Sequence, residues 1–549
     1  MKKYYPILIF SGLTAAIVAP FFGSGFVFLI DMVWGPGMDF SDIARKGIDS
    51  GFPLQMVLLL LHHFFSAEVL QKIVLAGVLF LPGIAMYRLS LRYMSRSLAT
   101  GAGLLYMLNL YVCERLMAGH WIVMLGYGFF PVSVFFLDRY FELRTWRRFV
   151  AFALVFSVYP IVSIHWAYIA SGFLLVYGIV KSIKSEKSKV DSVENFESGG
   201  WRNVFLKMTI LVAIFFAVNG FWLAGFFDSS QTFSNITLGD FEAFSTLPDP
   251  NFGIYFNVLA LYGFWSSNFL EFKDFFSWWW MVALAVMFFS FIGALMEIRR
   301  RNVLARAVAV VFVPALLLSV GYGDSFTRPI IDFLFATLPF FRGLRDTEKI
   351  SGIIAFSYAF LTPLGISYVV LYLGKIAHIQ KENYLRFFSS ASVAVIPFLW
   401  AGTLLFGAYG QIAPYDYPRG WYEAEAVLQA DIKTNEVLFL PWHMYCELNF
   451  ADRAMVANPA NAFFLETMIT GKNMDNRLLL EAEKSIWDEH VLLLSGEIIP
   501  DDREFWKSAG VSHFVVAKTD DWEKFSALYS SDYFEKEYDS ESMTVFKIK

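Results

Sequence analysis

The chain has 549 residues, of which 57% are hydrophobic, 19% aromatic and only 17% charged, with a mean hydropathy of +0.50. Soluble domains carry about a quarter charged residues, so this composition belongs to an integral membrane protein. A formal net charge of −5 argues against a nucleic-acid partner, and two distant cysteines, Cys113 and Cys446, form neither a disulfide framework nor metal-ligand spacing.

A helix of about 20 apolar residues spans the hydrocarbon core of a bilayer. Window reading gives about eleven such runs, at 6–28, 70–88, 98–113, 121–137, 148–163, 165–182, 204–226, 277–297, 303–320, 351–373 and 387–409. The first follows a charged start, MKKYYP, runs long and lacks a small-residue cleavage site, which reads as a retained signal anchor. Lys and Arg gather in alternate connections: Lys2-Lys3, Arg88 to Arg96, Arg144 to Arg148, Lys181 to Lys189, Arg299 to Arg306 and Lys375 to Arg386. The positive-inside rule makes that side cytoplasmic. One of these connections, KSEKSKVDSVENFESGG, has the composition of disorder. The N-terminus is then cytoplasmic, and 29–69, 114–120, a turn near 164, 227–276, 321–350 and the tail face outward. The expectation is a multi-pass plasma-membrane protein that works on its extracytoplasmic face.

The first outward loop carries Asp31, Asp39, Asp42 and Asp49. Asp31 directly follows FVFLI, and an acid at membrane depth is costly and usually functional. A partly desolvated carboxylate there is a candidate general base, while Asp39, Asp42 and Asp49 also read as an ordinary solvated loop. Residues 53–65 are too short to span and suit an interfacial helix. Its His62-His63 pair would point about 100° apart, so packing is a better reading than metal ligation. The next outward stretch, NLYVCERLMAGHW (109–121), places Glu114, Arg115 and His120 between two apolar runs. Either they wall a polar cleft, or Glu114 pairs with Arg115 and His120 caps a helix.

In 227–276 the aromatics Phe252, Tyr255, Phe256, Tyr262, Phe264 and Trp265 suit an interfacial belt, and NIT at 235–237 matches a glycosylation pattern frequent by chance. The segment 321–350 holds a short apolar run, PIIDFLFATLPFF, of re-entrant or interfacial length. RGLRDTEK follows it, with Arg342, Arg345 and Lys349 beside Asp346 and Glu348. Cations on the outer face run against the topology rule, and Arg and Lys suit phosphate; the alternative is a local salt-bridge network. From 411 onward the chain turns polar, with strand-like VLFL, HFVVA and MTVFKI and helical stretches at 421–432 and 474–494. This predicts two parts, a membrane domain over 1–410 and a small extracytoplasmic α/β or α+β domain over 411–549, acting as a structural or substrate-guiding cap.

Taken together these residues resemble the GT-C superfamily of membrane glycosyltransferases. NLYVCERLMAGHWIVMLGYGFFP looks like a stretch of the arabinofuranosyltransferase-like and YfhO-like members, and FFRGLRDTEKISG like their Phe-Arg-x-Pro-x-Lys-Phe segment. Arg345 and Lys349 match that segment, Thr347 stands where the proline would be, Leu344 where the first Phe would be, and Arg342 falls outside it. The resemblance implies an α-helical polytopic fold and inverting transfer of a sugar from a polyprenyl-phosphate donor to a glycan, lipid or protein acceptor in cell-envelope glycan biosynthesis. Asp31 would be the catalytic base, Arg342, Arg345, Lys349 and Arg115 would bind the donor phosphate, and Glu114, His120 and Asp39 the substrate. The resemblance implies no certain cofactor. A divalent metal is left open, since some members use one and others do not.

Two rival classes fit part of the pattern. A lipid-linked saccharide transporter or flippase predicts ionisable residues in mid-span and inverted repeats, neither of which stands out here. A non-catalytic envelope assembly factor would tolerate neutral substitutions at Asp31 and the Arg cluster.

Overall fold

The computed structural model describes residues 4–37, 48–187, 201–228, 236–266, 269–378, 382–431, 436–466, 468–471, 506, 510–519 and 521–549. Asp39, Asp42, the helical stretch 474–494, Asn235 of the NIT pattern and most of the 184–200 connector lie outside them. Among the described residues nine helices are long and apolar enough to cross a membrane. Two expected spans are shorter: Arg96–Met107 has 12 residues and Trp146–Val162 has 17. The latter still reaches about 25 Å at 1.5 Å per residue. The chain is a polytopic helical membrane protein with a small C-terminal sheet region.

The bundle closes where small residues let backbones touch. Helices Trp279–Arg299 and Gly352–Ile376 cross at Gly293 and Gly365. A Cβ on Gly365 would lie 1.8 Å from the Phe289 carbonyl oxygen, and one on Gly293 2.2 Å from that of Leu361. A bond between the Ser290 and Thr362 hydroxyls, 2.7 Å long, pins the same crossing. Lipid tails supply no hydrophobic drive between helices, so close backbone packing and interhelical hydrogen bonds do that work.

The helix Trp121–Leu143 has a differently charged cluster at each end. At its C-terminal end Asp138 is buried and accepts from Arg92, Tyr93, Tyr177 and Lys181. These draw together Ala67–Ser90 and Ile164–Lys187. Asp31, His120 and Lys349 gather at its N-terminal end. The two clusters are separated by the length of a 23-residue helix, about 34 Å.

Part of 109–121, with 114–120 expected as an outward loop, is instead the buried two-turn helix Leu110–Met117. Asn109 leaves helical geometry (φ −149°, ψ 169°) and its side-chain oxygen accepts from the Val112 N–H, capping Leu110–Met117. Its amide donates back to the carbonyls of Leu105 and Tyr106 and to the Tyr127 hydroxyl. Every residue of Leu110–Met117 is buried, Glu114 and Arg115 included. The short outer helix over 53–65 is present as Phe52–His62, and the apolar run of 321–350 contains the ten-residue helix Arg328–Thr337.

The C-terminal region is built on a five-stranded mixed sheet. Its order is Met468–Ile469, Glu436–Leu440, Val511–Ala517, Met543–Ile548, Phe534–Asp539. The first three strands run parallel and the last two pairings are antiparallel. Side chains alternate faces along a strand. Val437, Phe439, Val515, Ala517 and Val545 therefore enter one core, while Leu438, Leu440, Phe514, Val516 and Phe546 enter another. The first core also takes Phe26 and Phe28 from the loop after the first helix and Trp421 from Arg419–Asp431. Backbone pairing of Phe26 with Tyr415, and the Ala457 N–H donating to the Ile30 carbonyl at 2.7 Å, seat the sheet region on that loop.

Candidate active site

Asp31 stands where three elements meet. Its own N–H donates to the Ala118 carbonyl at 2.9 Å, and the neighbouring Leu29 and Met32 bond to each other. Gly119 makes this approach feasible: it has φ +75°, and a Cβ there would lie 2.6 Å from the Met32 nitrogen. The Asp31 side chain is thereby held against His120 and about a third of it stays exposed, at 33%.

Five side chains, His120, Arg115, Asp346, Glu348 and Lys349, form a chain of contacts inward from that carboxylate. His120 Nε2 lies 2.7 Å from Asp31 Oδ2, and Arg115 Nη1 lies 2.9 Å from His120 Nδ1. A guanidinium only donates, so Nδ1 is the acceptor and the neutral ring carries its proton on Nε2, where it donates to Asp31. Arg115 Nη1 also donates to Asp346 Oδ2 at 2.8 Å, and its Nη2 pairs with the Glu348 carboxylate. Its guanidinium lies between the rings of Tyr111 and Phe264, 5.5 and 5.1 Å from their centroids. Asp346 is shared with Lys349 at 3.3 Å. The second oxygen of Asp31, Oδ1, accepts from the Tyr445 hydroxyl at 2.5 Å.

The electrostatics follow from these partners. Burial pushes the Asp31 carboxyl upward, but the His120 and Tyr445 hydrogen bonds, together with the nearby positive charge that includes Lys349, hold Asp31 below the usual carboxylate range. Burial pushes His120 down, and Arg115 and Lys349 add to that, so the ring stays neutral. Burial would raise Asp346, yet Arg115 and Lys349 hold it far below an ordinary carboxylate. Arg115, Lys349, Asp346 and Glu348 balance one another, which leaves Asp31 as the unbalanced charge. Because Arg115 occupies Nδ1, His120 has no lone pair with which to take a proton onward.

Asp31, His120, His165 and Lys349 line one cavity of about 390 Å³, together with Gln55 of the outer helix and Asp49 just before it. A second cavity, of about 380 Å³ and walled by apolar side chains, lies between Trp146–Val162, Ile164–Lys187 and Trp201–Asp228. Pro160 and Ile164 belong to the walls of both, so the polar and apolar spaces adjoin.

The other expected residues are distributed as follows. Glu114 does not line the polar cavity; its carboxylate accepts from the backbone N–H groups of Gly263 and Phe264 at 3.1 and 3.5 Å. Burial and the neighbouring Glu271 push its pKa well above the normal range, and its hydrogen bonds anchor the 260–264 loop. Arg345 is 42% exposed, 3.7 Å from Asp240 and over the Phe244 ring. Arg342 stacks 4.4 Å from the Phe335 ring centroid. The acids of RGLRDTEK are thus engaged by Arg115 and Lys349, and Glu114 and Arg115 do not pair with each other. Sequence reasoning missed three participants, Gln55, His165 and Tyr445. His165 could have been noticed as an ionisable residue at the head of an apolar run. Tyr445 carries no local signal, because only folding brings position 445 to position 31. Among the described residues no group of three or more His, Cys, Asp or Glu side chains is placed to hold a metal ion.

No family model and no curated protein sequence matches the chain. Solved structures do. The arabinofuranosyltransferase AftD from Mycobacteria superposes with a TM-score of 0.64 over 99% of this chain at 11% identity. A second, mutant form of AftD gives 0.60. ArnT from Cupriavidus metallidurans gives 0.52 at 12% identity, covering 100% of this chain and 98% of its own. The chain spans 40% of the length of AftD. The chain therefore shares the polytopic fold of these solved structures.

Proposed function

We propose that this protein is a membrane glycosyltransferase that moves a sugar from a polyprenyl-phosphate donor to an acceptor hydroxyl on the extracytoplasmic face. The observation that carries the reading is the junction at Pro160 and Ile164, where a polar cavity holding a carboxylate and a cation opens beside an apolar groove. A lipid-phosphate sugar has that division into polar head and hydrocarbon tail. The GT-C-type fold supports the same reaction class, as do the names of the proteins that share it. Clustering of Arg92, Arg148 and Lys181 at the far end of the bundle supports an outward-facing site under the positive-inside rule.

In this reading Asp31 takes the proton of the acceptor hydroxyl as its oxygen attacks the anomeric carbon. The new C–O bond forms on the face opposite the breaking C–O bond, so the configuration inverts. The electron pair leaves with the lipid phosphate, whose charge is met by Lys349 and Arg345. His120 and Arg115 position the base without touching the proton. The acceptor is a glycan, lipid or protein hydroxyl.

The test is a transfer assay on purified protein in nanodiscs with radiolabelled polyprenyl-phosphate sugars and an envelope acceptor extract. Asp31→Asn is expected to lower transfer roughly 10²- to 10⁴-fold, the usual worth of a general base, with an unchanged elution profile. Equal transfer by variant and wild type would remove Asp31 from the chemistry. Movement of the donor across the bilayer without transfer would favour a flippase instead.

A further inference from the structure

Two residues that line the cavity beside Asp31, Gln55 and His165, each carry a buried polar atom with no hydrogen-bond partner among the described residues, the Gln55 side-chain oxygen and His165 Nδ1. They come from separate elements, the outer helix Phe52–His62 and the first turn of Ile164–Lys187. Buried polar atoms without partners are few in native proteins because each forfeits its bonds to water. Two in one cavity mark a place for something that brings hydrogen bonds with it.

The chemistry of the orphans narrows that something. The Gln55 oxygen accepts and cannot donate. The phosphodiester of a lipid-phosphate sugar also only accepts, so it leaves this oxygen unsatisfied; Lys349, on the same cavity wall, is the group suited to it. A ring hydroxyl both donates and accepts, and so satisfies Gln55 and either tautomer of His165. A volume of about 390 Å³ lies near the lower end of ligand pockets, roughly 300–1,000 Å³, which suits one sugar ring with its phosphate rather than an oligosaccharide.

We propose that Gln55 and His165 form the subsite that reads the hydroxyls of a single donor sugar, an inference that rests on the lipid-phosphate-sugar reading above. The experiment measures affinities of wild type, Gln55→Leu and His165→Phe in nanodiscs. The probes are decaprenyl phosphate and decaprenyl phosphate bearing one arabinose, glucose, mannose or galactose. At least one sugar is expected to tighten wild-type binding over the bare lipid phosphate. Each variant should bind the bare lipid phosphate as wild type does, which also shows that it is folded, and lose roughly tenfold in affinity for the sugar-bearing one. No gain from any sugar in wild type, or a gain that survives in both variants, overturns the subsite. Failure of wild type to bind bare decaprenyl phosphate overturns the lipid-carrier reading and the subsite with it.

Discussion

Asp31 combines a position where burial alone would raise its pKa with two donors and the nearby Lys349 charge that lower it, and together these win. A hydrogen bond to the charged form favours that form. Removing the Tyr445 hydroxyl therefore raises the Asp31 pKa, because the ionised carboxylate loses a partner and the protonated one does not. In a kcat/KM profile the acid limb is expected below the usual carboxylate range in wild type. In Tyr445→Phe it should move to higher pH, with affinity for bare lipid phosphate unchanged. A limb that stays in place would show that Tyr445 packs beside the base without tuning it. At this scale the sequence showed Asp31, His120, Arg115 and Lys349 as candidates but not their order. Only contacts between positions 31, 115, 120 and 346 place the histidine between the carboxylate and the guanidinium.

The helix Leu110–Met117 carries the most exacting electrostatics in the molecule. Arg115 has no exposed surface and faces Asp346 and Glu348, both nearly as buried. Buried pairs add little net stability against an apolar replacement, yet removing one partner strands the other charges at a cost of about 3–5 kcal/mol. Arg115→Met is thus expected to lower the thermal midpoint in detergent strongly. The triple change Arg115→Met, Asp346→Asn, Glu348→Gln should recover part of the loss. A single variant as stable as wild type would mean that the acids find other partners. A connection between two apolar runs reads as a loop in sequence, and 109–121 does so despite Asn109, since a cap shows where a helix starts but not that it is buried. Helix existence was legible from the apolar runs, whereas the break at 108–109 and the shortness of Arg96–Met107 depended on packing around Tyr106 and Tyr127.

At the scale of the whole molecule an apolar cavity adjoins the polar one beside Asp31, and the C-terminal region reaches Asp31 through Tyr445. Val212 lines the groove and is itself 51% exposed, so a larger side chain there fills space without disturbing the bundle. Val212→Trp is expected to raise KM several-fold for a long polyprenyl donor and to affect a short neryl-phosphate sugar less, since the longer chain fills more of the groove. An equal effect on both donors would place the hydrocarbon elsewhere. The tail, expected as a structural or guiding cap, contributes Tyr445 directly to Asp31, and its core includes Phe26 and Phe28 of the first loop.

By itself the amino-acid sequence determined that the chain enters the membrane repeatedly, which loops gather the cations and acids, and that a strand-and-helix region follows residue 410. These are properties of composition and short-range periodicity, and each segment carries them without its neighbours. Only the tertiary structure decided that Asp31, His120, Arg115, Asp346 and Tyr445 form one connected network, that Glu114 anchors a loop instead of joining it, and that His165 and Gln55 share its cavity. Those groups lie up to 414 residues apart along the chain. Their mutual geometry depends on close approaches at Gly119, Gly293 and Gly365, which no local pattern encodes.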